Sequence, residues 1–570
     1  MDHIWVVDND PSKRYPIYTR GNVGEVFPDA VAPLSWTMFG IPGAEPGWRR
    51  GFAQFGVFDE DEFSPDQLEI LGVFGGYAYL NVSISRIFGV RVPGLTPELV
   101  DQSIWGEMPG VPPYAPQPTD ESPEHTERIE QTLGWIFTTN DFPELRDDQE
   151  RVRKIRESRP DLTKLSDEEL LARMRSFREI FTELFARHMV ASYAALTVVG
   201  TIVGICDQAL GDTSLAMRLV SGVGDVDSAA PSFAMWDLGR AAADVGDEFD
   251  KGIDGLLDRL RGKPEGKQFV ERFDAFLYEF GSRGPNEWEM RCPTWETKPE
   301  LALVAIDRMR VSDESGDPRA HQSRLAAERE AIAADVLPKL EPAPEVQGQL
   351  AAALHAATIF LPARERTKTT IIKITQEVRL TARELGRRMV ELGIFEIPEN
   401  IGMLRDDELD AFISDPEGFR DIVRDRELLF EKLQTLEPPF IINGVVPPLE
   451  EWKVRDDTPQ PVEKGTVLAG LAGCPGTATG RARVIHSPFD GRDLEPGDVL
   501  VAPITDPSWT PLFVAASAVV VDVGAPISHA VIVSRELGIP CVVSVTGATR
   551  KIPDGAIVEV DGTHGTVTVL

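Results

Sequence analysis

Between Gly524 and Val543 the chain reads GAPISHAVIVSRELGIPCVV, and no other stretch limits the local fold as tightly. Ahead of it Ala518–Asp522 (AVVVD) is short, apolar and β-branched, the pattern of a buried strand. Behind it Ala530–Leu537 has the apolar spacing of a short helix, stopped by Gly538 and Pro540. His529 therefore stands at a strand-to-helix turn, beside the helix N-terminus. Unpaired backbone N–H groups there favour anions and disfavour a protonated ring, so a neutral imidazole with a free lone pair is expected. Such a nitrogen can attack phosphorus.

The surrounding residues 466–570 alternate short β-branched strands with Gly and Pro turns. They include CPGTATGRARV (Cys474–Val484), GDVLVAP (Gly497–Pro503) and VDGTHGTVTVL (Val560–Leu570). Together with Gly524, Ser528, His529, Ala530 and the run Arg535–Pro540, this segment resembles the swivelling phosphohistidine domain of the PEP-utilising family, which includes phosphoenolpyruvate synthase and pyruvate phosphate dikinase. The resemblance implies a compact α/β domain in which His529 is phosphorylated, with Ser528 and Gly524 supporting its turn.

At 570 residues the chain is long enough for two to four domains. A formal net charge of −34 argues against nucleic acid or an anionic membrane as partner. Cys206, Cys292, Cys474 and Cys541 are scattered without CxxC spacing, which fits reduced thiols in a cytoplasmic protein and no metal site. The opening MDHIWVVDND lacks the basic and apolar regions of a secretory signal. Met189–Ile205 is apolar enough to suggest a membrane span. Its Ser192, Thr197 and Thr201, and the Asp207 that follows, fit a buried helix better.

The expected architecture is multidomain: a large, irregular, mainly α-helical acceptor-binding domain followed by a small α/β swivelling domain. Residues 1–125 are rich in Pro, Gly and aromatics and read as a loop-rich N-terminal part of the acceptor-binding domain. Within them Arg20, Gly21, Asn22 and Gly24 suggest a polar, phosphate-contacting turn. From 126 to 440 helical periodicity dominates, with Ser166 and Glu169 as a capping pair before a long helix. Further helices are expected at Lys267–Phe280, Pro344–Leu361 and Arg364–Leu392. Over 441–465 four prolines and many charges suggest an interdomain linker.

Two places in the helical region carry polar chemistry. The loop Tyr278–Pro299 exposes Arg283, Glu287 and Arg291 after a helix broken at Gly281 and Gly284. On the helix from Ala363 to Gly393, Arg364 and Lys368 are four residues apart, on one face, suited to holding phosphoryl oxygens together. The stretches Tyr18–Trp36, Tyr278–Pro299 and Ala363–Leu409 resemble segments of the rifampicin phosphotransferase family, with Ser282 where a His is usual. That resemblance assigns Arg20 and Arg283 to phosphate or turn support, and Arg364 and Lys368 to phosphate contact.

No Gly-x-x-x-x-Gly-Lys-Ser/Thr loop occurs in the sequence. The order of helical acceptor domain, linker and His domain is similar to rifampicin phosphotransferase without its ATP-grasp domain. It is also similar to the His-bearing subunits of phenylphosphate synthase and the hydroxyphenyl-ketone (acetovanillone) dikinases. The implied function is that of a dikinase-type phosphotransferase subunit. A separate ATP-grasp subunit, using ATP and Mg²⁺, phosphorylates His529, which passes the group to a small phenolic hydroxyl. An antibiotic (rifamycin-like) phosphotransferase subunit and a regulatory phosphocarrier stay open as alternatives. An aryl ring needs an apolar pocket, for which Trp36, Trp236 and Trp288 are candidates. His188 and Glu287 are candidates for the group that receives the hydroxyl proton.

Overall fold

The computed structural model describes residues 4–105, 110–224, 226–227, 229–311, 317–456, 458–488, 494–525 and 528–570. It forms two compact units: Met1–Ala195 with Trp288–Cys292 and Arg366–Asp456, and Leu196–Glu287 with Pro293–Glu365 and Asp457–Leu570. These bounds differ from the 125 and 440 expected from composition. One helix, Pro344–Glu391, contributes to both units. The sequence suggested two helices there. The structure runs straight through Pro362, which forgoes one backbone hydrogen bond within an otherwise regular 48-residue helix.

The first unit contains a four-stranded antiparallel sheet. Its order is Leu71–Phe74, Tyr77–Asn81, Ile17–Thr19, Ile441–Asn443. The N-terminal region expected to be loop-rich thus supplies three strands. The overlooked signal is FGGY, in which Gly75 (φ 57°) and Gly76 (φ 85°) make the two-residue turn a tight hairpin requires. The stretch expected as a linker is also partly built in: Ile441–Asn443 closes this sheet, and Lys453–Val454 pairs with Leu436–Glu437.

A nine-residue π-helix, Trp36–Ala44, leads directly into helix Glu45–Phe55. Both lie against helix Arg178–Gln208 through Gly43, Gly47 and Gly51. A Cβ at these positions would come within 2.6 to 2.9 Å of Phe181, Phe185 and Met189 in turn. Both sets recur every four residues, so a glycine face shared by the first two helices receives the Phe181, Phe185 and Met189 side chains of the third. The apolar run flagged as a span begins at the last of these contacts, Met189. The window that carries it is 67% buried, as in a packed core helix.

In the second unit helices Ala230–Ala242, Lys267–Phe280 and Glu300–Val311 enclose an aromatic core of Trp236, Phe249, Phe269, Phe273, Phe276 and Trp295. The C-terminal part is an eight-stranded sheet. Its parallel centre is Thr477–Val484, Val499–Ala502, Ala518–Val521, Cys541–Val543. Helix His529–Leu537 follows strand Ala518–Val521 and ends at Gly538, φ 67°. The expected strand, turn, helix and stop residues all occur there. Helix Thr510–Ala515 packs on Ala230–Ala242, and His529–Leu537 packs on Pro318–Lys339. The α/β part is therefore docked on the helices of its own unit.

Candidate active site

His529 is the first residue of its helix, with Ser528 at the N-cap position but making no side-chain capping bond. Thr505 Oγ1 lies 3.1 Å from Nδ1 and Thr510 Oγ1 3.3 Å from Nε2, while Phe513 meets the ring edge-on. Both nitrogens thus face hydroxyls, and the residue is only 8% exposed. Phosphorylation at either nitrogen requires a hydroxyl to move aside and the enclosure to open. Ser528 Oγ is buried without a hydrogen-bond partner among the described residues. It adjoins backbone N–H groups at the helix start, so a phosphoryl oxygen on His529 would find donors there. A Cβ at Gly524 would stand 2.9 Å from Val543 Cβ, which explains the glycine. Pro526 and Ile527 lie outside the described residues.

The loop that brings Thr505 also brings Asp506. Its Oδ2 accepts from the backbone N–H of Asn286 at 3.0 Å, and burial, reinforced by Glu287, pushes its carboxyl above the usual range. Arg283 Nε and Glu287 Oε2 form a buried ion pair at 3.0 Å. Two of the three residues expected to be exposed on this loop, Arg283 and Glu287, are therefore enclosed, because each charge needs the other once buried. On the His529 helix Glu536 Oε2 accepts from Gly224 N at 3.2 Å. Arg535 is close enough to Arg364 for the two positive charges to repel. Arg364 also pairs with Glu365 at 2.6 Å. Lys368 is one helical turn further on, in the residues of the other unit.

At the end of strand Ala518–Val521, Asp522 accepts from Thr549 N and Oγ1 at 2.9 and 2.6 Å. Burial still raises its pKa from 3.8 to about 6. A raised carboxyl stabilises the fold fully below its unfolded value, and the contribution is lost as pH climbs through 6. Wild type is expected to lose about 2 kcal/mol between pH 4.5 and 7.5 from this group. Urea titrations of wild type and Asp522→Asn at both pH values measure it as the part of the pH dependence that the variant lacks.

The first unit holds a cavity of about 130 Å³. The π-helix gives it Trp36, Phe39, Gly40 and Ala44, helix Arg178–Gln208 gives Phe181, Phe185, His188 and Met189, and Trp288 closes it. The turn after Arg20 contributes Asn22, Val23, Val26 and Phe27. Asn22 holds φ 61°, a conformation L-residues seldom adopt. Phe39 stacks on Phe181 with centroids 4.3 Å apart. Trp288 and His188 each meet Phe185 edge-on. His188 is buried, with Nδ1 2.9 Å from Thr367 Oγ1. π-helical turns are rare and concentrate at functional sites.

Three expected residues, Trp36, His188 and Trp288, thus line one cavity. Trp236 does not: it sits in the aromatic core of the other unit under the Arg240 guanidinium. Glu287 pairs with Arg283 instead. Arg20 supports the turn. Its guanidinium donates to the carbonyls of Phe27, Pro28 and Ala78 and lies over Tyr77.

Sequence reading missed Thr505, Thr510 and Asp506, whose signal is the polar TDPSWTP between a strand and a helix, and Thr367. It also missed Glu289. This buried carboxylate accepts from Ala32 N, Ser35 Oγ and Arg291 N, and burial raises its pKa. It ties the segment before Trp36 to the segment holding Trp288. Asp59, Glu62 and His125 also converge, with ligand atoms within 4.8 Å. Arg128 and Arg91 each clamp one of the two carboxylates, so the group is already charge-balanced as an ion-pair network.

Residues 184–365 match the family described as rifampicin phosphotransferase fourth domain, and 494–565 the PEP-utilising enzyme mobile domain. The chain is 31% identical over 356 residues to rifampicin phosphotransferase of Streptomyces sviceus, covering 60% of this chain and 40% of that protein. It is 30% identical to the prodigiosin synthesizing transferase PigC of Serratia marcescens over 55% of this chain and 35% of that one. Identity to the uncharacterized phosphotransferase YvkC of Bacillus subtilis is 27%, over 55% of this chain and 38% of that protein. The chain therefore spans well under half the length of these curated relatives. With His529 at its helix start, the region 494–565 matches the PEP-utilising enzyme mobile domain, and the chain resembles rifampicin phosphotransferase.

Proposed function

We propose that this chain is the phosphohistidine-bearing and acceptor-binding part of an ATP-dependent, dikinase-type phosphotransferase. His529 takes the β-phosphoryl group of ATP bound with Mg²⁺ on a separate ATP-grasp subunit while water takes the γ-phosphoryl group, leaving AMP and phosphate. It then passes the group to the hydroxyl of a small phenol. The N–P bond breaks with its electrons remaining on the imidazole, the phenolic oxygen bonds phosphorus, and His188 receives the phenolic proton. Arg364 and Lys368 offset charge on the group in transit, the dominant demand in phosphoryl transfer.

The observation that carries this reading is the aromatic cavity of about 130 Å³. A dry cavity of about 150 Å³ accommodates benzene, whereas drug-sized ligands occupy roughly 300–1,000 Å³. One ring fits and a rifamycin-sized macrocycle does not, which favours a phenol over an antibiotic. A phosphocarrier has no use for such a cavity.

Incubating the purified chain with ATP labelled in the β-phosphate tests the division of labour. No label is expected on the chain alone, and label is expected once an ATP-grasp subunit is added. Self-labelling would show that the nucleotide is bound by this chain.

A further inference from the structure

The turn after Arg20 is held in a conformation that its central residue disfavours. Val23 N donates to the Gly21 carbonyl at 2.7 Å across Asn22, whose φ of 61° and ψ of −60° make the three residues a γ-turn of the rare, strained kind. Both flanks lock it. Gly21 N donates to Thr19 Oγ1 at 3.0 Å, Gly24 N donates to the Arg20 carbonyl at 2.8 Å, and the Arg20 guanidinium donates to the carbonyls of Phe27 and Pro28. Strain of this kind persists only where the surroundings over-determine it, and it gathers at functional sites.

Glycine adopts a positive φ freely and stands close by at 21 and 24, yet position 22 carries Asn. Asn enters left-handed backbone by bonding its side chain locally. Here the carboxamide does not cap the helix Val23–Val26 that follows, and it takes no hydrogen bond among the described residues. Asn22 is only partly buried, and it lines the aromatic cavity of the first unit. The other polar side chains on that wall are engaged. Ser35 is held by Glu289, Thr375 donates to the Ile371 carbonyl, Trp48 donates to Tyr193, and His188 meets Thr367. The indole nitrogens of Trp36 and Trp288 are fully buried. The carboxamide of Asn22 is thus left to serve a ligand.

Resting on the acceptor reading above, we propose that Asn22 binds the hydroxyl of the acceptor: its Nδ2 donates to the hydroxyl oxygen of the ring in the cavity, while His188 receives the hydroxyl proton. A donor on a locked turn sets which way round a ring sits in an otherwise apolar space. A ring without a hydroxyl leaves that donor unpaired, and a site built to bond a ligand polar group discriminates against the analogue lacking it. The strain of the turn keeps the carboxamide for the ligand and away from its own backbone.

Asn22→Gly separates this role from a structural one, because glycine suits the positive φ and removes only the side chain. Isothermal titration of the full chain with phenol and with toluene compares a hydroxyl with a methyl on the same ring. The variant is expected to bind phenol about tenfold more weakly than wild type does, with its affinity for toluene undiminished and its urea midpoint unchanged or raised. Phenol bound as tightly by the variant as by wild type overturns the proposal and leaves the acceptor reading standing. Equal weakening of phenol and toluene with a lowered urea midpoint makes Asn22 a structural residue and overturns it as well. Failure of wild type to bind phenol overturns the acceptor reading and the proposal with it.

Discussion

His529→Ala is expected to accept no acid-labile phosphate from Mg-ATP and an ATP-grasp subunit, and to lose aryl phosphate formation by about 10³-fold or more. The expectation follows from what surrounds this ring. It begins a nine-residue helix, stands beside a Ser528 hydroxyl that has no partner among the described residues, and has hydroxyls at both nitrogens. His125 is flanked by two carboxylates that would repel a phosphoryl group, and His188 lines the aromatic cavity of the first unit. Circular dichroism of the variant should match wild type, because Phe513 and the two threonines close around a smaller side chain without losing a charge partner. Undiminished labelling of His529→Ala would place the phosphorylated residue elsewhere.

Glu289→Ala is expected to destabilise the first unit by about 3 kcal/mol, and Glu289→Gln by less. The carboxylate accepts from two backbone N–H groups and the Ser35 hydroxyl, all deep in the fold, and alanine leaves each without its partner. It is 6% exposed, so water does not replace what is lost. Urea unfolding followed by tryptophan fluorescence measures the effect. Phenol affinity should fall with it, because the same carboxylate anchors the segments carrying Trp36 and Trp288. A stable Glu289→Ala with wild-type phenol binding would show that the cavity walls are held by other means.

What could be read from sequence was the local and the periodic. Strand Ala518–Val521, the His529 turn and the Gly538 stop follow from β-branching, helix spacing and a left-handed glycine, all encoded within twenty residues. Lys267–Phe280 was likewise legible, because one apolar face recurs at helical spacing. The sheet of the first unit was not, since Ile441–Asn443 pairs with Ile17–Thr19 across most of the chain and no local pattern records that. Pro362 argued for a break that packing overrides. Three of the five residues suggested for substrate binding meet in one cavity, while Trp236 illustrates that an aromatic residue names burial and not its purpose. Arg20, expected on its Gly-rich turn to support phosphate or the turn itself, donates to three carbonyls nearby.

His529 is enclosed, folded against Thr505, Thr510 and Phe513, which its place at a strand-to-helix turn does not reveal. Asp506 with Asn286, and Glu536 with Gly224, hold this arrangement within the unit. Both carboxyls have pKa values raised by burial, so docking is favoured with the proton on and weakens as pH rises.

The most direct measurement is peptide mapping at alkaline pH of the full chain after incubation with Mg-ATP and an ATP-grasp subunit, before and after adding phenol. The account predicts one phosphate, on His529, that disappears on adding the phenol as the corresponding aryl phosphate forms. Phosphate on any other residue, no phosphate at all, or phosphohistidine that the phenol leaves untouched would contradict it.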